Sequence, residues 1–134
     1  MEMETKKKSK TVSKGVEVSE FFGKLFSFNN SLKLYHWHVT GKASYAQHMA
    51  LDQALEDLSD VLDRIVETTY AMHDDVAITI PETKTPSNII SHATDFFSYC
   101  ESQRELFAEA FIQSIIDDYQ EAIQQLLYRL KRLQ

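Results

Sequence analysis

Residues 44–73 read SYAQHMALDQALEDLSDVLDRIVETTYAMH, and this stretch decides the fold. Its apolar residues recur at steps of three and four, which predicts one buried helical stripe of Leu51, Leu55, Leu58, Leu62, Ile65 and Val66. The stretch contains neither glycine nor proline, so we expect one uninterrupted helix. At about 1.5 Å per residue, such a helix is about 45 Å long.

The segment that follows, residues 76–86, reads VAITIPETKTP and predicts extended chain rather than helix. Its β-branched residues favour extended backbone, and Pro81 and Pro86 disfavour a helix. At about 3.3 Å per residue, the extended connection reaches roughly 40 Å, nearly the length of the preceding helix. An antiparallel helical hairpin needs only a few connecting residues, so this length predicts a crossover along the bundle, the ferritin-like arrangement.

Further helices are predicted before residue 44 and after residue 86. The first begins near residue 16 and carries a stripe of Phe21, Leu25, Phe28, Leu32 and Tyr35. Gly41 is predicted to end it, and Ser44 with Gln47 is predicted to form a capping box that opens the second helix. Thr85 and Pro86 are predicted to be the N-cap and first residue of the third helix.

The remaining stripes complete an all-α, four-helix bundle, and we assign residues 16–134 to it. The third helix has Ile89, Ala93, Phe96, Phe97 and Cys100, and the fourth has Ile112, Ile116, Tyr119, Ile123, Leu126, Leu130 and Leu133. Residues 107–111 join them without glycine or proline. The sequence therefore leaves open whether these two helices are separate or form one long helix.

Composition sets the class of protein. The chain has 134 residues with three glycines, two prolines and one cysteine, Cys100. So few turn-forming residues disfavour an all-β domain, and a single cysteine excludes an internal disulfide. The sequence shows no apolar stretch of membrane-spanning length and no apolar signal core, so we expect a soluble cytoplasmic protein without a membrane partner.

Charge is unevenly distributed along the chain. Residues 1–15 carry five lysines, Lys6, Lys7, Lys8, Lys10 and Lys14, against two glutamates, whereas the whole chain has a net charge of −6. We predict that residues 1–15 are a disordered, lysine-rich arm on an acidic body. Such an arm suits a polyanion and an acidic body suits cations, although a solvated, inert start of the chain explains the arm equally well.

Potential metal ligands share one face of the second helix. His48, Asp52, Asp63 and Glu67 fall within roughly a 100° arc of the helix. The outer two are roughly 28 Å apart along the axis, so one metal ion cannot bind both ends of this stripe in one chain. An antiparallel second copy with its two-fold axis near Asp57 would place His48 beside Glu67 of the partner subunit. The alternative is an ordinary solvated helix face.

The preceding segment extends the ligand pattern. His36 and Trp37 end the first helix, His48 follows His36 by twelve residues, Asp52 comes four later, and Asp63 and Glu67 close the series. In these residues and spacings the chain resembles the DNA-binding proteins from starved cells, the Dps miniferritins. The resemblance covers residues from about 18 to 73, and residues 74–134 match only in helical pattern.

The resemblance implies a function and a set of site residues. It implies a ferroxidase, usually a hollow dodecamer, that oxidises Fe(II) with hydrogen peroxide or oxygen, stores Fe(III) and protects against oxidative damage. His36, His48 and Asp52 would bind iron with the Asp63 and Glu67 of a second subunit at a two-fold interface. Trp37 would intercept one-electron oxidants, or would simply pack in the core. Lysine-rich tails bind DNA in some members, which suggests non-specific DNA as a partner of the arm.

Other assignments stay open at this point. Zinc, manganese or cobalt could occupy the same ligands. No glutamate is followed by histidine three residues later, which argues against a di-iron core within one bundle.

The rival functions are a structural or DNA-compacting assembly protein of the same fold, and a helical assembly protein, viral or cellular, with a metal-stabilised joint. Further candidates are His38 as an extra ligand or surface residue, His73 and His92 as solvated residues, and Glu109, Asp117 and Asp118 as an iron-entry or solvated group.

Overall fold

The fold is all-α, as predicted. The computed structural model describes the backbone of residues 2–134 and the side chains of residues 14–134. Within these residues there are four α-helices: α1 (Glu2–His36), α2 (Ser44–Met72), α3 (Ile89–Gln103) and α4 (Ala110–Arg132). Residues 73–88 form the long connection between α2 and α3, which confirms the predicted four-helix bundle with a crossover. None of the described helices combines the length and apolarity needed to cross a membrane.

The predicted arm is at the edge of the described part of the chain. Lys14 is exposed, whereas the side chains of residues 1–13, and with them most of the arm's lysines, lie outside the described residues. The backbone of α1 is helical from Glu2, whereas the sequence predicted a disordered start and a helix from about residue 16. The binding of DNA by this segment stays a prediction.

The predicted apolar stripes form the core. α2 packs against both α1 and α4, and α3 packs mainly against α4. Each of the four stripes contributes side chains that are fully or almost fully buried, among them Phe21, Leu25, Leu58, Ile65, Ala93, Cys100, Ile116 and Ile123. Tyr119 on α4 is also fully buried, and its hydroxyl donates a hydrogen bond to Asn29 Oδ1 over 2.8 Å. This bond compensates the cost of burying a phenol group.

The topology defines two ends of the bundle. At the loop end, the α1–α2 loop and the start of α2 meet the end of α4, where the Gln47 side-chain amide donates to the Leu133 carbonyl over 3.0 Å. At the corner end, the C-terminus of α2 meets the start of α4, where His73 Nε2 lies 2.7 Å from Glu109 Oε1. The crossover carries the chain from the corner end back to the loop end.

The crossover lies along α1 and is held by small polar side chains. The Ser19 hydroxyl donates to the Ala77 carbonyl, and the Ser27 and Thr83 hydroxyl oxygens are 2.8 Å apart. Ser19 and Ser27 are eight residues apart in α1, so they lie on the same side of the helix, about 12 Å from each other. Two contacts at that spacing align the extended chain with the helix axis.

Gly23 lies midway between these two serines and allows the crossover to approach closely. A Cβ atom at this position would clash with the backbone carbonyl of Thr79. Because the obstacle is backbone rather than a flexible side chain, a larger residue at position 23 would push the crossover away from α1. The apolar periodicity of α1 does not predict this track of Ser19, Gly23 and Ser27.

The start of α2 differs from the prediction. Ala43 is the N-cap and Ser44 is the first helical residue, without a side-chain capping bond. The Gln47 side chain instead binds the end of α4, so the predicted capping box is wrong. α1 ends at His36, before Gly41, which lies in the loop with φ at 97° and accepts a hydrogen bond from the Ser44 N–H.

The start of α3 also differs from the prediction. Asn88 is the N-cap, and its Oδ1 accepts a hydrogen bond from the Ser91 N–H over 3.0 Å. Thr85 and Pro86 remain in the extended connection, so their assignment as N-cap and first-turn proline is wrong. Asparagine is among the strongest N-cap residues, and its side chain satisfies a free backbone donor.

α3 and α4 are separate helices, which resolves the question that the sequence left open. A 3₁₀ turn, Arg104–Leu106, follows α3, and Phe107 continues in an extended conformation. Phe107 is buried, with its ring centroid 5.8 Å from that of Phe21. The Gln113 side-chain amide donates to the carbonyls of Arg104 and Phe107, and the Arg104 carbonyl also accepts the Phe107 N–H that closes the 3₁₀ turn. Tertiary contacts therefore break the helix in place of glycine or proline.

Candidate metal centre

His36 is the innermost residue of the candidate site. It is the last residue of α1, and its side chain is only 3% exposed. Its ring Nδ1 lies 2.9 Å from the Lys33 carbonyl, one turn earlier in the same helix. Because a carbonyl only accepts, Nδ1 carries the proton in this bond. In the neutral ring, the lone pair of Nε2 is then available to a ligand.

His48 repeats this arrangement from the neighbouring helix. Its Nδ1 donates to the His36 carbonyl over 3.1 Å, and the two imidazole rings stack with their centroids 4.1 Å apart. The bond crosses the α1–α2 loop and ties the first turns of α2 to the end of α1. Both rings are thus oriented by hydrogen bonds to backbone carbonyls, the usual support for metal-binding histidines.

Asp52 completes the group. One carboxylate oxygen, Oδ1, lies 2.9 Å from His36 Nε2, and the other, Oδ2, lies 3.4 Å from His48 Nε2. The three side chains offer ligand atoms that all lie within 4.8 Å of one another. With both Nδ1 atoms donating to carbonyls, the two Nε2 atoms face the two oxygens of one carboxylate. A proton, a metal ion or water can each satisfy facing acceptors of this kind.

The spacing of the group is compatible with a metal ion. Ligand atoms at about 2.1 Å from a tetrahedral metal lie roughly 3.4 Å from one another. The two nitrogen-to-oxygen distances, 2.9 Å to Oδ1 and 3.4 Å to Oδ2, are in this range, and the shorter one is also that of an ordinary histidine–aspartate hydrogen bond. Two imidazoles and one carboxylate suit Fe(II), Zn(II), Mn(II) and Co(II). The His48 and Asp52 side chains are 39% and 40% exposed, so further ligands can reach the site from outside.

Lys33 is a neighbour that the sequence analysis did not identify. Its ammonium lies 3.9 Å from Asp52 Oδ1 and 5.6 Å from the centroid of the Trp37 ring. The lysine therefore offsets part of the carboxylate charge from the solvent side. Lys33 precedes His36 by three residues in α1, and this spacing alone predicts that the two side chains are neighbours on the helix surface.

Asp63 and Glu67 do not join this group within the chain. Both are exposed on α2, eleven and fifteen residues beyond Asp52. These intervals correspond to roughly 16 and 22 Å along the helix axis. The structure thus brings together three of the five predicted ligands, and for the described residues His36, His48 and Asp52 are the one group of metal-binding geometry.

The exposed face of α2 contains both halves of the predicted ligand set. Asp52, Asp63 and Glu67 project within roughly a 60° arc of the helix, away from the buried leucines. The acidic pair therefore faces in the same direction as the open side of the histidine group. Its use as a ligand pair for a second copy of the chain stays a prediction.

The aromatic neighbour of the site is on the surface. Trp37 is 63% exposed, so it is not part of the core of the chain. Its ring centroid lies 5.6 Å from that of His36. His38 is exposed and does not belong to the ligand group, which leaves it as a surface residue among the described side chains. The proposed role of Trp37 in capturing oxidants stays a prediction.

Two other histidines have partners. His92 is half-buried between α1 and α3, with Nε2 2.7 Å from the Ser31 hydroxyl and its ring stacked on Phe28, so the expectation of a solvated His92 was wrong. Burial lowers its pKa below 6.5, and the charge of Asp95 partly opposes this shift. His73 is exposed and binds Glu109.

The acidic residues considered for iron entry are paired in the structure. Arg104 binds Asp117, and Arg64 lies 3.2 Å from Asp118. The Glu109 pKa is lowered, mainly by a hydrogen bond from its own backbone N–H and further by His73. These pairs link α2, the turn after α3 and α4, which favours a structural role for the three carboxylates over an open ion path.

Comparison with protein families gives one match. Residues 36–130 match the model of DUF5856, a family of unknown function. The matched range covers more than half of the chain, and the chain belongs to this family. The range begins at His36 and so includes all five predicted ligands. The comparisons with curated proteins and with solved structures found no match.

Proposed function

We propose that this member of DUF5856 is a ferroxidase that works as a Dps-like miniferritin. Ferrous iron binds at sites shared by two copies of the chain, hydrogen peroxide or oxygen oxidises it, and ferric iron is stored inside a hollow homo-oligomer such as a dodecamer. The activity would protect the cytoplasm against oxidative damage. The observation that supports this proposal is the convergence of His36, His48 and Asp52, with both imidazoles oriented by backbone carbonyls.

The three ligands of one chain leave coordination positions open. A ferroxidase site has to bind Fe(II) and has to stabilise Fe(III) more strongly than Fe(II). Imidazole is suited to Fe(II), whereas additional carboxylates stabilise the harder Fe(III). Asp63 and Glu67 would supply these carboxylates from a second copy, since their position on α2 keeps them away from the histidines of their own chain.

The positions of the ligands along α2 have a two-fold relation. His48 and Glu67 are equally distant from the midpoint between Asp57 and Leu58, and Asp52 and Asp63 are too. An antiparallel second copy of α2 therefore places Glu67 of the partner subunit opposite His48. Two equivalent sites result, one at each end of the contact. Two-fold dimers are the commonest symmetric assemblies.

Exposed apolar side chains on this face of α2 support the proposal that a second copy of the chain packs against it. Tyr45 and Met49 on α2 are 77% and 48% exposed, and Trp37 projects beside them from the end of α1. Tyr45 and Met49 lie within roughly the same arc of α2 as Asp63 and Glu67. A second copy of the chain on this face would cover these apolar groups together with the ligands.

The chemistry assigns a simple task to each residue. His36, His48 and Asp52 hold the ferrous ion, and the carboxylates of the second copy make its oxidation more favourable. Each ferrous ion gives up one electron, so reduction of one peroxide molecule to water consumes two ferrous ions and two protons. In this proposal Trp37 captures a stray one-electron oxidant, and its ring centroid 5.6 Å from that of His36 supports the role.

The decisive experiment is complementation between two defective chains. One chain carries His36→Ala with His48→Ala, and the other carries Asp63→Asn with Glu67→Gln. Each alone should lose ferrous oxidation, because every site lacks one half. After unfolding and refolding together, mixed pairs contain one intact site, so the mixture should recover up to about one quarter of the activity for random pairing.

Controls define what the result means. Each variant refolded by itself should stay inactive, and His38→Ala, at an exposed histidine beside the site, should keep full activity. Failure of the mixture to regain activity, while mixed pairs are detected by native mass measurement, would contradict the shared site. Tight metal binding without consumption of peroxide would instead indicate a structural metal joint.

A further inference from the structure

Positive charge is concentrated at the loop end of the bundle. The last turn of α4 carries Arg129, Lys131 and Arg132, and Lys42 is exposed in the α1–α2 loop. Residues 33–47 and 122–134, which build much of this end, contain no aspartate or glutamate. We call Lys42, Arg129, Lys131 and Arg132 the basic cap.

Carboxylates also cluster at the corner end. They lie where α2 ends, where α3 ends and in the first half of α4, at Asp74, Asp75, Glu101, Glu105, Glu109, Asp117 and Asp118. Arg64, Arg104 and His73 pair with three of them, so part of this negative charge is compensated. Residues 33–47 and 122–134 carry only positive side-chain charges, and a local excess of positive charge attracts an anion even when the whole chain has a net charge of −6.

The members of the basic cap come from the same end of the bundle. The hydrogen bond from the Gln47 amide to the Leu133 carbonyl holds the last turn of α4 against the first turns of α2. Lys131 and Arg132 are therefore at the same end of the bundle as the loop that contains Lys42, although they are about ninety residues apart in sequence. Lys42, Lys131 and Arg132 are all exposed, and Arg129 is half-buried.

An exposed aromatic ring accompanies these charges. Tyr128 is 58% exposed, and the guanidinium carbon of Arg132 lies 4.4 Å from its ring centroid. An aromatic ring beside cationic side chains is the combination that binds unpaired bases and phosphates together. A surface of charged side chains alone would lack a ring on which a base can stack.

We propose that the basic cap binds single-stranded nucleic acid. Lys42, Lys131 and Arg132 contact phosphates, and Tyr128 stacks on a base with Arg132 holding the ring in place. The surface belongs to the folded bundle, so it is distinct from the lysines of residues 1–15. It requires no metal ion, so it is also independent of the ferroxidase proposed above.

The test measures binding of a fluorescent oligothymidylate to the full chain in the presence of EDTA. Lys131→Gln with Arg132→Gln should weaken binding about tenfold or more and reduce the slope of log affinity against log salt by about 1.4, for two phosphate contacts. The matched control is Gln124→Glu with Gln125→Glu, which makes the same change in net charge at exposed positions two turns earlier in α4. This control should bind nearly as well as the parent chain.

A second pair of variants tests stacking. Tyr128→Ala should weaken binding about tenfold, whereas Tyr128→Phe, which keeps the ring, should bind like the parent chain. Helix content and unfolding midpoints confirm that each variant is folded. Equal effects of the α4 variant and its matched control, no binding of the oligonucleotide, or binding only to vesicles of anionic lipid would each overturn the proposal.

Discussion

At the scale of single residues, backbone carbonyls orient the two histidines that we propose as metal ligands. His36 and His48 each donate from Nδ1 to a carbonyl, so both direct Nε2 toward Asp52. Metal ligands supported in this way keep the correct tautomer and ring angle before the ion arrives. The preparation depends on where α1 ends, because the His36 carbonyl is free to accept from His48 only at a helix C-terminus.

Trp37 should report metal binding directly. It is the single tryptophan of the chain, and its ring lies 5.6 Å from that of His36. Titration with Co(II), which is paramagnetic, should give a saturable loss of tryptophan fluorescence. His36→Ala should weaken this binding by about 100-fold or more, since it removes a ligand whose supporting contacts alone are worth 10–100-fold.

The neighbouring exposed histidine provides the comparison for this titration. His38→Ala should leave the Co(II) affinity unchanged, because His38 lies outside the ligand group. Equal losses of affinity in the two variants would show that the fluorescence change comes from non-specific binding near the loop.

At the scale of elements, the crossover depends on the surface that α1 presents to it. Ser19 and Ser27 bind the extended chain, and Gly23 between them leaves room for the Thr79 carbonyl. The crossover thus has a defined path although it forms no regular secondary structure. Its path determines where α3 begins, and therefore how the loop end of the bundle is closed.

Gly23→Ala should destabilise the protein even though alanine is the better helix former. The added methyl group collides with backbone, so the crossover must shift, which costs about 1–3 kcal/mol in tightly packed sites. Gly15→Ala provides the matched control, because a Cβ there meets no atom within 4 Å. It should raise the free energy of unfolding by about 0.5–1 kcal/mol. Urea unfolding of both variants measures the difference, and equal effects would contradict the contact.

The contact between α1 and α3 should make stability depend on pH. Burial lowers the pKa of His92 in the folded chain, whereas the unfolded chain has the ordinary value of 6.5. As the pH falls below 6.5, the unfolded state therefore binds a proton that the folded state does not, and the free energy of unfolding falls. A single proton contributes at most about 1.4 kcal/mol per pH unit.

Replacement of His92 tests this assignment. His92→Gln keeps a polar side chain beside Ser31 but cannot titrate. Its free energy of unfolding should fall less steeply than that of the parent chain between pH 6.5 and 5, measured by urea unfolding at each pH. Parallel pH profiles for the two proteins would show that other groups cause the acid sensitivity.

At the scale of the whole molecule, the surface of one chain carries a ligand group with open coordination positions and exposed apolar side chains beside it. The ligand group is open to solvent through His48 and Asp52, and Tyr45 and Met49 project from the same helix. The basic cap gives the loop end of the bundle a local excess of positive charge. The complementation and nucleic-acid experiments address these two features separately, since one requires metal and a second copy and the other requires neither.

Much of the fold was predictable from local patterns. The four helices follow the apolar periodicity, because each helix has to bury one stripe, and the long non-helical connection follows from Pro81 and Pro86 among β-branched residues. The spacing of His36, His48 and Asp52 was also readable, because residues four apart on a helix and residues that flank a short loop come close in most conformations.

Tertiary structure decided the remaining features, because they depend on groups far apart in the chain. Phe107 breaks the helix between α3 and α4 by packing against Phe21, and Gln47 binds Leu133 instead of capping its own helix. His92 is half-buried because α1 brings Ser31 and Phe28 to it. By itself, the sequence determined which segments are helical and which side chains can bind a metal. The packing of those segments determined where the helices end, which polar groups are buried and where the charges gather.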